Sequence, residues 1–378
     1  MNTKLFYYDD LLPETPVTVV AEAPAPDDEA LVGRIIAAYQ RSAETVRDLG
    51  GPIWTSIADK SREVHEALVA GDLPAVTAFL RRPHLSNLHY GFEMMHATAA
   101  EKIAANPDLG RRQARWAHDV LVRVAEVTGA IRTYLPEIDT QERPWDPDAL
   151  IEALDRAMGV PLRFPNTVPQ EWGCASSRGA VAYRATQAIY QAWRLRQLSA
   201  FAGGTKTVEI GAGLGRTAFY ATLFGTTDYT IVDLPLANVA QAYFLGRALG
   251  PERIVLEGED RRTGAWVRIH NAAWFPGTDE RFDLALNADS LTEMGADQMD
   301  RYWTELHRRA RVFVSINQEA LSVRVADLPH RAGIIVKTLR NVSPVRKGYI
   351  EEIFFFEPAA APPPSPAATS TRRWWQFF

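Results

Sequence analysis

Residues 207–250 read TVEIGAGLGRTAFYATLFGTTDYTIVDLPLANVAQAYFLGRALG, and the order of residue types in this stretch sets the fold. Val208 and Ile210 are β-formers closed off by a turn signal, so 207–210 is expected as a short buried strand. Gly211, Gly213 and Gly215 follow, and without side chains there the backbone can turn sharply and pass close to a ligand. A helix is expected over 216–224, with its first N–H groups facing the turn. Residues 229–232 form a second β-run that ends in Asp233, with Leu234 beside it. That acid stands about 20 residues after Gly211, where a carboxylate closing a second strand reaches the hydroxyls of a ribose. The stretch reads as half of a nucleoside-cofactor site.

Two details choose among cofactors. A dinucleotide fingerprint needs glycine at position 216, where this chain has Arg216, and its helix N-terminus must receive a pyrophosphate. The turn is instead preceded by Glu209, whose carboxylate repels phosphate and suits a cation. S-adenosylmethionine has a ribose, a sulfonium and an ammonium, and no phosphate. The run E-x-G-x-G-x-G over 209–215, followed by Asp233, resembles the class I methyltransferase motif.

The bulk composition is consistent with such an enzyme. A chain of 378 residues, 47% hydrophobic and 23% charged, can bury a sizeable core as one large or two modest domains. A net charge of −5 argues against a nucleic-acid binder that works by phosphate neutralisation. The single cysteine, Cys174, excludes a disulfide framework and a cysteine-based zinc site within the chain. With neither a signal peptide nor a membrane-length apolar run in the sequence, a cytoplasmic location is expected.

Residues 1–27 read as a flexible lead-in, Pro/Ala-rich over 17–28. Residues 28–175 read as a helical N-terminal domain, suited to an acceptor pocket or a dimer contact. Its first helix is expected to begin near Asp28 and to stop at Gly50-Gly51-Pro52, and another to run from Asn106-Pro107 to about Tyr134. His84, His89, His96 and His118 lack metal-ligand spacing. Residues 176–199 read as a helix leading into the first strand, placing Arg178, Tyr183 and Arg184 within reach of the cofactor carboxylate or a sugar hydroxyl. After 250, further strands are expected over 253–256, 267–270, 282–286 and 312–316, with a helix over 296–310 and a terminal hairpin of 334–342 and 349–356. The whole is a doubly wound α/β sheet over 176–357 with a terminal antiparallel pair. Residues 358–378 read as a disordered tail ending in RRWWQFF.

Five blocks occur in order: VEIGAGLGRTAFY, YTIVDLPLANVAQAYFLGRALG, FDLALNADSLTEM, ARVFVSINQE and RKGYIEEIFFF. Together with the helix of 177–194 they resemble the sugar O-methyltransferase family of bacterial gene clusters for glycans and glycosylated metabolites. The likeness covers about 178–356. It implies cofactor contacts from Glu209, Gly211, Gly213, Gly215 and Asp233, and a sugar or glycoside hydroxyl as acceptor. Where that family has a compact turn after strand three, this chain has a long charged stretch over 258–264. The adenine contact is therefore open among Glu257, Asn271 and Trp274.

A sugar hydroxyl needs a base as its bond to carbon forms. Such a base belongs at the carboxyl end of a strand, beside the cofactor. Asp289 is the first choice and Glu293 the second, with His270 and His307 as alternatives. Asn287, at a strand end, is assigned to the cofactor, and Asn317 and Glu319 to sugar hydroxyls. Asp289, Asn317 and Glu319 are also the oxygens that a magnesium ion would take if one is used. The other readings are a non-sugar hydroxyl acceptor, a catalytically silent cofactor-binding partner and, against Arg216 and Glu209, a nicotinamide-dependent reductase.

Overall fold

The computed structural model describes residues 5–8, 12, 14–22, 24–43, 59–86, 88–89, 99–135, 137, 145–321 and 323–356. Strand β1 (Val17–Val19) precedes α1 (Glu29–Ala43), α2 (Arg62–Ala70), α3 (Leu73–Arg81), α4 (Ala99–Ala105), α5 (Pro107–Val127) and α6 (Pro147–Met158). The hairpin β2 (Trp172–Ser176) and β3 (Gly179–Val181) then leads into α7 (Tyr183–Ala202). Strand and helix alternate from there through β4 (Thr207–Ile210), α8 (Arg216–Leu223), β5 (Tyr229–Asp233) and α9 (Pro235–Leu249). Next come β6 (Ile254–Val255), β7 (Val267–Asn271), α10 (Trp274–Gly277), β8 (Phe282–Ala288) and α11 (Ala296–Arg309). β9 (Ala310–Gln318), α12 (Leu328–Arg331), β10 (Lys337–Val342) and β11 (Tyr349–Phe355) complete the fold.

The main sheet has the order β10-β11-β9-β8-β4-β5-β7-β6. β9, β8, β4, β5, β7 and β6 are parallel, and β11 lies antiparallel between β9 and β10. This is the doubly wound α/β architecture expected from the sequence. The chain leaves β4 toward β5 and β7, then returns to place β8 on the other flank of β4. The carboxyl ends of β4 and β8 therefore frame the crevice where such sheets bind ligands.

Both faces of the sheet are covered, so every residue of β4 is buried and most of β8 is too. One face packs Val208, Ile210 and Phe313 against Met299, Tyr302, Trp303 and Leu306 of α11. On the other, Ile231, Leu284 and Leu286 join a cluster that continues through α7 and α5 into α1. The boundary expected between 175 and 176 runs through this continuous core. Trp303 is 1% exposed and among the largest fully buried side chains. Trp303→Ala is expected to destabilise the fold by about 3–5 kcal/mol, read as a lower urea midpoint with an unchanged slope.

The structure departs from the sequence reading in several places. Val17–Val19, expected in a flexible lead-in, pair with Cys174, Gly173 and Trp172 of β2. α5 stops at Val127 rather than near Tyr134, because Gly129 takes φ +74 and donates its N–H back to the Glu126 carbonyl. The helix expected from 176 begins only at Tyr183, since the left-handed turn at Gly179 (φ +108) closes the β2–β3 hairpin first. Ile254–Val255, read as the third strand, forms the outer edge, and β7 takes the place beside β5. The expected helix stop at 50–52, His96 and the tail 358–378 lie outside the described residues. Among the described residues no helix is long and apolar enough to cross a membrane.

Candidate functional site

The crevice between β4 and β8 opens into a cavity of about 910 Å³, open solvent at its mouth included. Its floor is Glu209, Gly211, Ala212, Gly213 and Leu214 from β4 and the turn after it. Ala288, Asp289, Ser290 and Glu293 follow β8, Arg184, Gln187 and Gln191 come down from α7, and Val345 and Arg346 enter from the turn before β11.

The glycine turn is fixed by its surroundings. Gly211 has φ +71, and a Cβ there would fall 2.0 Å from Ser290 Oγ, so no other residue fits without moving the β8 loop. Asn287 ties the two strand ends together: its Nδ2 donates to the Ile210 carbonyl (2.8 Å) and to Ser290 Oγ (2.6 Å). Its Oδ1 accepts from Leu291 N and from Asn317 Nδ2. Asp233, at the end of β5, accepts from Ala212 N (2.9 Å), Gln241 Nε2 (2.7 Å) and Leu234 N (2.8 Å). It thus holds the glycine turn while its edge faces the cavity. Burial pushes the Asp233 carboxyl up to about 6 against these donors.

Glu209 is 2% exposed on the central strand, with the Tyr229 hydroxyl donating to its Oε2 (2.9 Å). Burial raises its carboxyl to about 8, the Tyr229 bond pulling the other way. A buried acid at the cavity floor that holds its proton near neutral pH gives that proton up when a cation arrives. Across the cavity, Arg184 Nε and Gln187 Nε2 are buried and make no hydrogen bond among the described residues. Unpaired buried donors are costly, and a ligand oxygen between them would remove the cost. One wall therefore suits a cation and the other an anionic or hydroxyl oxygen.

The two acids after β8 stand in different surroundings. Leu291–Glu293 is a single 3-10 turn, and Asp289 sits in the left-handed region at φ +72, rare for a residue with a side chain. Its Oδ2 accepts from Arg346 Nη1 (2.6 Å) and its Oδ1 from the Tyr349 hydroxyl (2.6 Å), with Arg184 Nη1 at 3.7 Å. Burial pushes the Asp289 carboxyl up, but Arg346, Tyr349 and Arg184 outweigh it and hold it below the usual carboxylate range. Such a carboxylate is a weaker proton acceptor than one left without cationic partners. Glu293 has no hydrogen bond from its carboxylate among the described residues, and burial followed by the Asp289 charge raises it to about 7.

The cavity gathers Glu209, Gly211, Gly213, Asp233, Asp289, Glu293 and Arg184, while other expected site residues lie elsewhere. Gly215 (φ +85) packs against Leu245 at the start of α8, and Leu234 begins α9 with its N–H on Asp233. Asn287 is fully used as a strand clamp. Arg178 bridges Asp155 and the Leu162 carbonyl. Tyr183 stacks on Trp116, with ring centroids 3.6 Å apart. At the end of β7, His270 stacks on Trp274 (4.2 Å), Glu257 accepts from Asn271 N (3.0 Å), and Asn271 Oδ1 accepts from Ala273 N. None of these four lines the cavity, so neither a base role for His270 nor an adenine contact from the others is supported. His307 packs on Phe356 at the far end of α11. Asn317 Nδ2 bonds Asn287 and Ser315, and Glu319 pairs with Arg340 (2.7 Å). The oxygens of Asp289, Asn317 and Glu319 thus serve three separate networks and form no common ligand set. Among the described residues no group of three His, Cys, Asp or Glu is placed to hold a metal.

Sequence reasoning missed Arg346 and Val345, which a hairpin turn brings in from far along the chain. Gln187 and Gln191 also line the cavity, and their helical spacing from Arg184 was the available signal.

No family model matches the sequence, and neither does any curated protein. Among solved structures the chain is similar to a Pyrococcus horikoshii protein described as an RNA methyltransferase, at 16% identity over 46% of this chain and 83% of that one, TM-score 0.32. It is also similar to the O-methyltransferase TomG of Streptomyces achromogenes in complex with SAM, at 14% identity over 50% and 84%, TM-score 0.32. A third is the magnesium protoporphyrin IX methyltransferase of Synechocystis with bound SAM, at 11% identity over 45% and 81%, TM-score 0.29. Likenesses this distant leave the function to be argued from the chain's own residues.

Proposed function

We propose that this chain is an S-adenosylmethionine-dependent O-methyltransferase acting on a hydroxyl of a sugar or glycosylated metabolite. The observation that carries the cofactor is the division of one crevice into a buried acidic floor at Glu209 and Asp233 and a wall where Arg184 Nε and Gln187 Nε2 have no hydrogen bond. A zwitterionic, phosphate-free ligand fits both, with its ammonium toward Glu209, its ribose hydroxyls toward Asp233 and its carboxylate toward the donors. When bound, S-adenosylmethionine supplies a methyl group on a sulfonium leaving group.

The protein's own part is to align the acceptor, exclude water and take a proton. Glu293 is placed to accept the acceptor's hydroxyl proton, being poised at about 7 and facing the cavity. Asp289, fixed by Arg346 and Tyr349, stays charged and keeps Glu293 basic. Residues 176–357 make the cofactor unit in this reading, and the preceding helices support its acceptor side. The sugar rests on the likeness of the five sequence blocks to the sugar O-methyltransferase family.

Thermal unfolding with S-adenosylmethionine, S-adenosylhomocysteine, NAD and no ligand tests the cofactor. A ligand at about 100 times its dissociation constant stabilises by roughly 2.7 kcal/mol, a shift of a few degrees. The expected result is a shift with both adenosyl ligands and none with NAD; a shift with NAD alone overturns the reading. Methyl transfer from the labelled cofactor to a panel of glycosides and aglycones then decides the acceptor class.

A further inference from the structure

Arg346, which anchors Asp289, belongs to the turn Ser343-Pro344-Val345-Arg346-Lys347-Gly348 between β10 and β11. Val345 and Arg346 face the cavity. The opposite side of the turn is gripped by residues from the other end of the chain. The Tyr7 hydroxyl donates to the Ser343 carbonyl (3.1 Å), and Lys347 Nζ donates to the Phe6 carbonyl. The Lys347 ammonium lies 5.0 Å from the Tyr7 ring centroid and the Arg123 guanidinium 4.9 Å from it. Arg123 Nε also donates to the Pro344 carbonyl (3.2 Å).

The segment is in turn nailed to α5. Asp119 is 0% exposed in the middle of that helix, where an unpaired carboxylate would be very costly. Its two oxygens accept from Tyr7 N (3.1 and 2.9 Å) and Tyr8 N (2.7 Å). Tyr8 donates to Glu126 Oε2 (2.6 Å), and Phe6 is 4% exposed. A buried acid that receives two successive backbone N–H groups fixes both the position and the direction of the segment it holds.

We propose that residues 6–8 are a brace for the acceptor side of the site, with Tyr7 and Asp119 as positioning residues that hold the 343–348 turn so that Arg346 stays on Asp289. No atom of the brace lines the cavity, so its influence passes through the turn. The kinetic part of this inference rests on the methyltransferase reading; the mechanical part does not.

The test uses the full chain and two variants, Tyr7→Phe and Asp119→Asn. Tyr7→Phe removes only the hydroxyl that holds Ser343, and a bond of that kind corresponds to about a three- to tenfold change in opening. Amide hydrogen exchange is therefore expected to speed up by about that factor over 343–349 in Tyr7→Phe, with the strands β4 and β8 unchanged. With a transferable acceptor in hand, kcat/KM for the acceptor should fall by about tenfold, since displacing a positioning group by 1 Å costs up to about a hundredfold. The affinity for S-adenosylhomocysteine should stay within about twofold, because the bond removed corresponds to only a few-fold. Exchange that is unchanged over the turn in both variants overturns the brace. So does faster exchange with acceptor kinetics left intact, or a loss of cofactor affinity as large as the loss of acceptor turnover. If Asp119→Asn unfolds, Tyr7→Phe decides alone. If the wild-type chain transfers no methyl group at all, the proposed function fails while the exchange result still decides the brace.

Discussion

Glu293→Gln is expected to lower kcat by about 10²- to 10⁴-fold, the usual scale for loss of a general base, with cofactor affinity unchanged. Glutamine keeps the size and polarity of the side chain and removes only its ability to take a proton. The wild-type profile of kcat/KM should climb with pH through about 7, where Glu293 loses its proton. The direction follows from the role, since a base works only when deprotonated. Asp289 contributes to the raised value through its charge, so Asp289→Asn should move the midpoint to lower pH. A Glu293→Gln enzyme within tenfold of wild type, beside an inactive Asp289→Asn, would return the base role to Asp289.

Glu209→Gln is expected to weaken binding of S-adenosylhomocysteine by about 2–5 kcal/mol, the cost of removing one partner of a buried charge pair. The wild-type protein should release a proton on binding, because its carboxyl is raised from 4.5 to about 8 when the cavity is empty. Affinity should therefore rise with pH between about 6 and 7.5, below the titration of the ligand's own amino group. Calorimetry in two buffers of different ionisation heat reads that release directly, and the variant should show none. Stability gives an independent sign. A folded-state value raised above the unfolded one stabilises fully below the unfolded value and loses that contribution as pH rises through about 8. The ligand-free variant should thus be more stable than wild type at alkaline pH, as expected where a site keeps a strained acid for function. Equal pH dependence of binding in the two proteins would remove Glu209 from the cation site.

The floor of the crevice was legible because it is local. Glu209, Gly211, Gly213 and Asp233 lie within one strand-turn-helix-strand unit, where spacing along the chain fixes spacing in space. The order of Asp289 and Glu293 was not legible. It depends on Arg346 and Tyr349, brought from a hairpin that no local pattern connects to β8. The left-handed backbone of Asp289, which turns its carboxylate toward them, also has no sequence signal of the kind a glycine gives. Asn287 looked like a ligand group because it ends a strand, yet all of its hydrogen-bonding capacity goes to closing the junction of β4 and β8. The rank of β6 was misread for a related reason. It follows β5 in the chain, but a two-residue strand buries too little to displace β7 from the place beside it.

The insertion of β11 between β9 and β10 bears on how the protein is made. β10 leaves the ribosome before β11 but cannot dock until β11 has paired with β9. Until then β9 presents an open edge carrying Val312, Val314 and Ile316, a template for association with other nascent chains. A product truncated before Tyr349 would keep that edge open and lose the Tyr349 hydroxyl that donates to Asp289. Synthesis of this chain therefore passes through an aggregation-prone window that closes only when β11 arrives.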